Sequence, residues 1–473
     1  FTVRDLASIA EAARRMPGPS DTKVYDALKH LFREVDTGSP PTSGVQVLGY
    51  NGELFKDHRI IDHISLPDRL HDRLYPVVIS GGRTRTIRGV WGLHEFDFWA
   101  ELNEHLLGHI FEESLSDLES TGTTPDEVAS AKRGERKRKG IFYTSSTLSD
   151  FLSNSAILAV LNEKAPLDAS DDASLASSLV VRLGALLDLR VLDPACGSGA
   201  FLVSAYREML GEYWRLRSLQ ESRRKGAASL FDATGVHDQA TLLRSCLFGI
   251  DLLPQAVEIA KLALWLRSAR KGEKVADLGR NIVSGNSLNV QSYSQLLNVP
   301  PEQFDLVIGN PPWGSEVDDA TYATAFETLG ITEGSFDSWE LFVLLGLRAL
   351  RDGGRLAFVL PDSFLYRSKA TTRARVFAES TIEKVYNLGP GWFGTSVRMG
   401  TVVLQVRKGE PDNNANMLAA VLAGELRDQA IAGQIPLTQI EAQRARFIPI
   451  ARSLATESRE IAVFRGRNDD EIM

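Results

Sequence analysis

"RVLDPACGSGAFLVSAYREML", residues 190–210, reads as a strand, a turn of small residues and a helix. In a doubly wound α/β sheet this first turn lets a ligand approach the backbone closely, because Gly197 and Gly199 carry no Cβ. Turns of this kind bind nucleoside cofactors. The dinucleotide fingerprint G-x-G-x-x-G is incomplete, since Gly197-Ser198-Gly199 is followed by Ala200-Phe201-Leu202, which disfavours nicotinamide. No GKS or GKT sequence follows to make it a phosphate-cradling loop, so ATP is not the obvious ligand.

Outward from this stretch, short β-like runs alternate with helical ones: "LFGIDLL", "PQAVEIAKLALWLRSA", "NIVSGN", "FDLVIGN", "FDSWELFVLLGLRALRDGG" and "RLAFVLP". The alternation predicts a mostly parallel sheet covered by helices. Asp251 ends the second strand, where an acidic side chain accepts the ribose hydroxyls. It sits about fifty residues after the turn rather than the roughly twenty of the dinucleotide pattern, and the insertion "RSLQESRRKGAASLFDATGVHD" accounts for the excess as a longer helix and loop. Taken alone, these residues also suit an ordinary strand-to-helix turn with Asp251 capping the helix that opens at Pro254. "FDLVIGNPPWGS", residues 304–315, makes the stronger statement. Asn310 is expected at the carboxyl edge of the fourth strand, Pro311 and Pro312 fix φ and donate nothing, and Trp313 offers a face for a base. Such a turn is a rigid set of acceptors for an exocyclic amine, held by the Asn310 amide oxygen and the Pro311 carbonyl.

Composition narrows the class. The 473 residues are 43% hydrophobic and 24% charged, enough for more than one domain, and the formal net charge of -8 lacks the basic excess of a general nucleic-acid binder, so any DNA contact is expected to be local. Cys196 and Cys246 cannot form a disulfide framework or a cysteine zinc site, and no metal is expected. "WELFVLLGLRAL" is charged and too short to span a membrane, so the expected location is the cytoplasm with no membrane partner. "FWAELNEHLLGHIFEESLSDLES" predicts an amphipathic helix, "DTGSPPTSG" a polar interruption, and the basic run "KRGERKRKG" (132–140) either a solvated segment or a phosphate contact. The chain begins at Phe1 without a methionine and ends at "RGRNDDEIM", so a fragment of a longer protein, or segments of one joined across gaps, is expected.

"DPACGSGAFL", "GID" and "NPPW" in that order, preceded by "GIFYT" (140–144), resemble the motifs of S-adenosylmethionine-dependent DNA adenine-N6 methyltransferases in the γ arrangement. "ALRDGGRLAFVLPDSFL" and "NLGPGWFGTSVRMGTVVL" extend the likeness, which covers most of residues 45–408 and is similar to the large methyltransferases of type IIG restriction-modification, BREX and DISARM defence systems. The resemblance implies a Rossmann-like class I methyltransferase with a mostly parallel seven-stranded sheet over residues 140–410, a mainly helical N-terminal domain over 1–139, and a C-terminal segment, 411–473, at the start of a target-recognition region. It implies the activity of EC 2.1.1.72 on double-stranded DNA, with other defence-system subunits as partners. A non-catalytic cofactor-bound DNA sensor and an RNA or protein methyltransferase remain alternatives.

By the same resemblance, Phe142, Tyr143 and Thr144 cover the methionine end of S-adenosylmethionine; Asp193, Pro194, Ala195, Cys196, Gly197, Ser198 and Gly199 hold its amino-acid part; Asp251 holds its ribose. Leu252, Asn286 and Ser287 complete the cofactor set, although relatives carry aspartate where Asn286 stands and proline after the FYT element, where this chain has serine. Asn310, Pro311, Pro312 and Trp313 grip a flipped adenine, and Phe393 supplies a second aromatic, so the base is expected to sit between Trp313 and Phe393. About sixty residues follow Lys408, which is short for a recognition domain, so sequence specificity is expected from further C-terminal residues or a partner subunit.

Overall fold

The computed structural model describes residues 144–461 apart from 223–238, 269–275, 394–398 and shorter breaks, together with an antiparallel hairpin, Val77–Ser80 with Arg83–Ile87, and scattered positions between residues 12 and 33. The amphipathic helix expected over residues 98–118, the polar interruption at 36–44, the basic run at 132–140, Phe142 and Tyr143 lie outside the described residues. Of the mainly helical N-terminal domain expected over residues 1–139, only that hairpin and those scattered positions are described. The chain divides into two compact units, residues 1–107 with 265–277 and residues 108–264 with 278–473; the functional residues that follow all belong to the second.

That unit is built on one nine-stranded sheet. Its strands are β1 (Val191–Asp193), β2 (Leu247–Asp251), β3 (Ile282–Ser284), β4 (Phe304–Gly309), β5 (Leu350–Pro361), β6 (Ser380–Gly389), β7 (Thr401–Lys408), β8 (Asn416–Val421) and β9 (Arg446–Pro449). In space they run β9-β8-β6-β7-β5-β4-β1-β2-β3. β1 pairs in parallel with β2 and β4, β2 with β3, β4 with β5, and β6 with β8, whereas β7 runs antiparallel to β5 and β6, and β9 antiparallel to β8. Chain order therefore reverses direction between β1 and β4, the switch point at which open α/β sheets bind ligands outside the carboxyl ends of their strands.

Seven strands were expected and nine are found. β1 to β7 form a contiguous block, and β8 and β9, from residues beyond 411, extend its edge. The C-terminal segment thus continues the sheet. β9 closes the edge in part with Pro449, which offers no ladder donor, and leaves Phe447 75% exposed.

The strand sequences suit this position. β4, "FDLVIG", is buried along its whole length, and so is β5 from Arg355 to Pro361, the near-continuous apolar pattern of strands covered on both faces. Helices α1 (Ser146–Lys164), α2 (Asp172–Leu187) and α3 (Ala200–Glu221) pack together, with α1 on β4 and β5 and α3 on β1 and β2. α4 (Pro254–Ser268) follows β2; α5 (Asp319–Leu329), α6 (Ser338–Ala349) and α7 (Ala370–Glu379) form a second group, seated on β4 and β5 through α6. α3 runs for 22 residues, which accounts for part of the wide separation of Asp251 from the glycine turn.

Candidate functional site

The glycine turn is held from both sides by backbone and carboxylate bonds. The Ala195 N–H donates to Asp193 Oδ1 at 3.1 Å, and the Cys196 N–H to the Ile250 carbonyl at 2.9 Å, which ties the turn to β2. The Gly197 N–H donates to Asp251 Oδ2 at 2.9 Å, and the Leu253 N–H to Asp251 Oδ1 at 2.9 Å. Ser287 Oγ donates to the Pro194 carbonyl at 2.5 Å from the end of β3. Asp251 therefore does two things at once. It closes the turn before α4, the ordinary role the sequence left open, and it also anchors the cofactor-type turn while each oxygen keeps a lone pair for another donor.

The two glycines differ in kind. Gly197, at φ +52, has nothing within 4 Å of where a Cβ would stand, so it leaves open space for a ligand. Gly199, at φ +91, would place a Cβ 2.9 Å from the Ala260 Cβ. The missing Cβ of Gly199 thus serves a packing contact that the sequence did not show, admitting α4 against the start of α3. Gly309, which sequence reading passed over, has a comparable role, because a Cβ there would lie 2.7 Å from Asp193 Oδ1.

Burial sets the electrostatics. It pushes the Asp193 carboxyl up to about 8, against the Ala195 N–H and with the negative charge of Asp251 adding to the rise. Burial also raises Asp251, opposed by the N–H groups of Leu253 and Gly197. The Cys196 thiol, 5% exposed, is raised by burial and then by these two carboxylates, which favours the protonated thiol. Leu252, next to Asp251, is 66% exposed, an apolar surface beside two acceptors. Asn286 has both ends of its amide engaged: Oδ1 accepts from the Leu288 N–H at 3.0 Å, and Nδ2 donates to Thr321 Oγ1 at 3.2 Å. Thr321 spends its own hydroxyl proton on Asp318 Oδ2 at 2.8 Å and can only accept from Asn286, which suits an amide at 286 better than a carboxylate.

Asn310 leaves the carboxyl end of β4, next to β1 and its Asp193. Its Nδ2 donates to Thr144 Oγ1 at 3.2 Å, while its buried Oδ1 has no hydrogen-bond partner among the described residues. The second proline carbonyl is engaged: Pro312 accepts from Ser338 Oγ at 2.6 Å, and the Ser315 N–H donates to that hydroxyl at 3.3 Å. Ser338 opens α6, whose N-terminus is fixed by the Asp337 N–H on Glu340 Oε2 at 2.8 Å and by Lys369 bridging Asp337 and Glu340. Glu340 three residues after Asp337 was a legible helix-start signal; the reach of Ser338 to the proline turn was not.

Trp313 is 3% exposed and meets Phe393 edge to face, centroids 5.1 Å apart at 82°. A base between two rings needs them parallel and roughly 7 Å apart, twice the carbon contact distance. The two aromatics are brought together as expected, but the sandwich is not formed: the ring quadrupoles favour the edge-on contact they make with each other. Among the described residues no group of His, Cys, Asp and Glu suits a metal ion, and no helix is long and apolar enough to cross a membrane.

Residues 245–393 match the model of the family described as Eco57I restriction-modification methylase. The chain is similar to restriction-modification methylases. It is 24% identical over 323 residues to the type I restriction enzyme EcoEI methylase subunit of Escherichia coli, covering 67% of this chain and 50% of that one. It is 27% identical over 229 residues to the type II methyltransferase M.TthHB8I of Thermus thermophilus, covering 46% and 40%. The chain thus spans half the length or less of the curated relatives it matches. Among solved structures, the type IIL restriction-modification enzyme MmeI in complex with DNA aligns with a TM-score of 0.59 at 16% identity over 89% of this chain and 53% of that one, a likeness of fold. The DrdV–DNA complex aligns at 0.52 and 14% identity over 97% and 44%.

Proposed function

We propose that this chain is the methyltransferase part of a restriction-modification or related phage-defence system, transferring a methyl group from S-adenosylmethionine to the N6 amine of an adenine flipped out of double-stranded DNA, the activity of EC 2.1.1.72 in the cytoplasm. The carrying observation is the buried Oδ1 of Asn310, without a partner among the described residues, at the carboxyl edge of β4, on the strand next to the one that leads into the glycine turn. A buried acceptor without a donor costs about 1–3 kcal/mol, and an exocyclic amine is the donor that would relieve it.

The residues present fit the cofactor. The open side of Gly197 admits its amino-acid part, the Asp193 carboxyl suits an ammonium group, Asp251 suits a ribose diol, and exposed Leu252 offers an apolar seat for a purine, with Asn286 and Ser287 at the end of β3 beside it. When bound, S-adenosylmethionine supplies a methyl group that is already electrophilic on its sulfonium. The chain's own task is then positioning. Asn310 Oδ1 and the Pro311 carbonyl would accept the two amine hydrogens, drawing the nitrogen lone pair out of conjugation, and the proton that the amine loses on methylation would leave along one of these bonds to water. Trp313 gives the base an aromatic surface once Phe393 moves off its edge. No metal is needed for this chemistry.

Transfer of tritiated methyl groups from S-adenosylmethionine to unmethylated DNA, with RNA and protein as controls, tests the reading. Label on adenine N6 that disappears in Asn310→Ala supports it. Label confined to RNA or protein, or none with any substrate, overturns it. Other subunits of the system are the expected protein partners.

A further inference from the structure

The hydrogen bond between Thr144 and Asn310 joins residues 166 apart in sequence, and both side chains lie at the base-gripping turn. Thr144 is 6% exposed and directly precedes Ser145, the N-cap of α1, whose carbonyl accepts from the Leu148 and Ser149 N–H groups. α1 is packed through Leu148, Phe151, Leu152 and Ile157, all buried, so the hydroxyl is held on a rigid element.

A hydroxyl can serve either end of an amide, donating to its oxygen or accepting from its nitrogen. The choice follows from what the other end is left with. With Nδ2 on Thr144, one carbonyl oxygen is orphaned. Reversed, an NH2 with two hydrogens would be, and buried orphan donors are rarer and costlier than under-satisfied carbonyls. The bond therefore holds the amide with its nitrogen on Thr144 and its oxygen left to accept.

Resting on the function proposed above, we infer that Thr144 is the positioning residue that fixes which end of Asn310 faces the flipped base, and so makes the site select a base with an exocyclic amine over one with a carbonyl at the same position. Adenine presents a donor to Oδ1; hypoxanthine, with a C6 carbonyl, presents an acceptor to an acceptor. Without the Thr144 hydroxyl, Nδ2 loses its partner too, the two amide orientations become nearly equal, and the turned amide can donate to a carbonyl. This role differs from covering the methionine end of the cofactor, the part that the family resemblance gives Thr144.

The test uses the full-length protein and duplexes of the site it methylates in its host, carrying adenine or hypoxanthine at the target position, with S-adenosylhomocysteine present. Hypoxanthine weakens its base pair and eases flipping, but this effect is common to all variants, so the ratio of the two affinities is compared between them. The adenine preference is expected to fall about tenfold in Thr144→Val, the worth of one neutral hydrogen bond, and to return in Thr144→Ser. Both duplex affinities are read at saturating S-adenosylhomocysteine, whose own affinity is measured for each variant, so a loss at the methionine end of the cofactor is common to the two duplexes and leaves their ratio. A preference unchanged in a folded Thr144→Val overturns the inference, and so does a fall in cofactor affinity that accounts for all loss of methylation. Where a melting curve shows Thr144→Val unfolded, Thr144→Ala takes its place against Thr144→Ser. Wild-type protein that methylates no adenine would instead sink the underlying function, with Thr144 not involved.

Discussion

The glycine turn after β1 and the proline turn after β4 stand at the same edge of one sheet and are built on opposite plans. In the first, the polar groups are matched within the chain: Asp193 and Asp251 together accept from three backbone N–H groups, and Ser287 holds the Pro194 carbonyl. In the second, rigidity comes from two prolines and two hydroxyls, Thr144 and Ser338, and the buried Asn310 Oδ1 is left without a partner among the described residues. A turn that receives a cofactor can be complete beforehand, because the ligand uses spare lone pairs and open space. A turn that must prefer one chemical group over another needs an interaction it cannot make alone.

The largest expected effect separates the two turns. Asn310→Ala removes the unmatched acceptor and should lower single-turnover methyl transfer by about 10²–10³, with cofactor affinity by calorimetry unchanged. A near wild-type rate in that variant would make the proline turn only a turn. Asp251→Ala should act in the reverse order, weakening S-adenosylmethionine binding by about 1.5–3 kcal/mol as a charge-assisted acceptor is lost. Equal losses of binding in both variants would erase the distinction.

A pair of substitutions sharpens the comparison inside the glycine turn itself. Gly199→Ala meets the Ala260 Cβ at 2.9 Å from a left-handed φ, so it should cost about 1–3 kcal/mol of stability in a denaturant or thermal melt. Gly197→Ala meets nothing within 4 Å, so it should cost about 1 kcal/mol of stability and act mainly on cofactor affinity. Should the two melts shift alike, the division between a packing glycine and a ligand glycine fails.

The smallest expected effect is a proton. Burial raises Asp193 from 3.8 to about 8, so across that window the folded protein holds a proton that the unfolded chain has released. Stability without cofactor should therefore fall as the pH rises from about 4 to about 8, and Asp193→Asn should remove this part of the slope. A cofactor ammonium beside the carboxyl favours its charged form, so binding at neutral pH should release a fraction of a proton. Calorimetry in two buffers of different ionisation enthalpy measures it; equal apparent enthalpies in the two would mean that Asp193 is already ionised or lies away from the amino group.

What the sequence by itself determined were the local devices whose chemistry lies in consecutive residues. The strand-turn-helix of 190–210, the acidic end of β2 at Asp251 and the rigid Asn-Pro-Pro-Trp exit from β4 were all legible, because glycine, proline and a strand-terminal acid restrict the backbone wherever they stand. So was the mostly parallel sheet, from the alternation of apolar runs. Only the tertiary structure decided that Gly199 and Gly309 serve packing contacts with Ala260 and Asp193, that β8 and β9 lengthen the sheet to nine strands, and that Trp313 and Phe393 meet edge on. It alone brought Thr144 to Asn310 and Ser338 to Pro312. A threonine 166 positions upstream carries no local mark of its partner, since a hydroxyl's role depends on which donor or acceptor the folded chain sets about 3 Å away, and backbone restriction along the sequence says nothing of that.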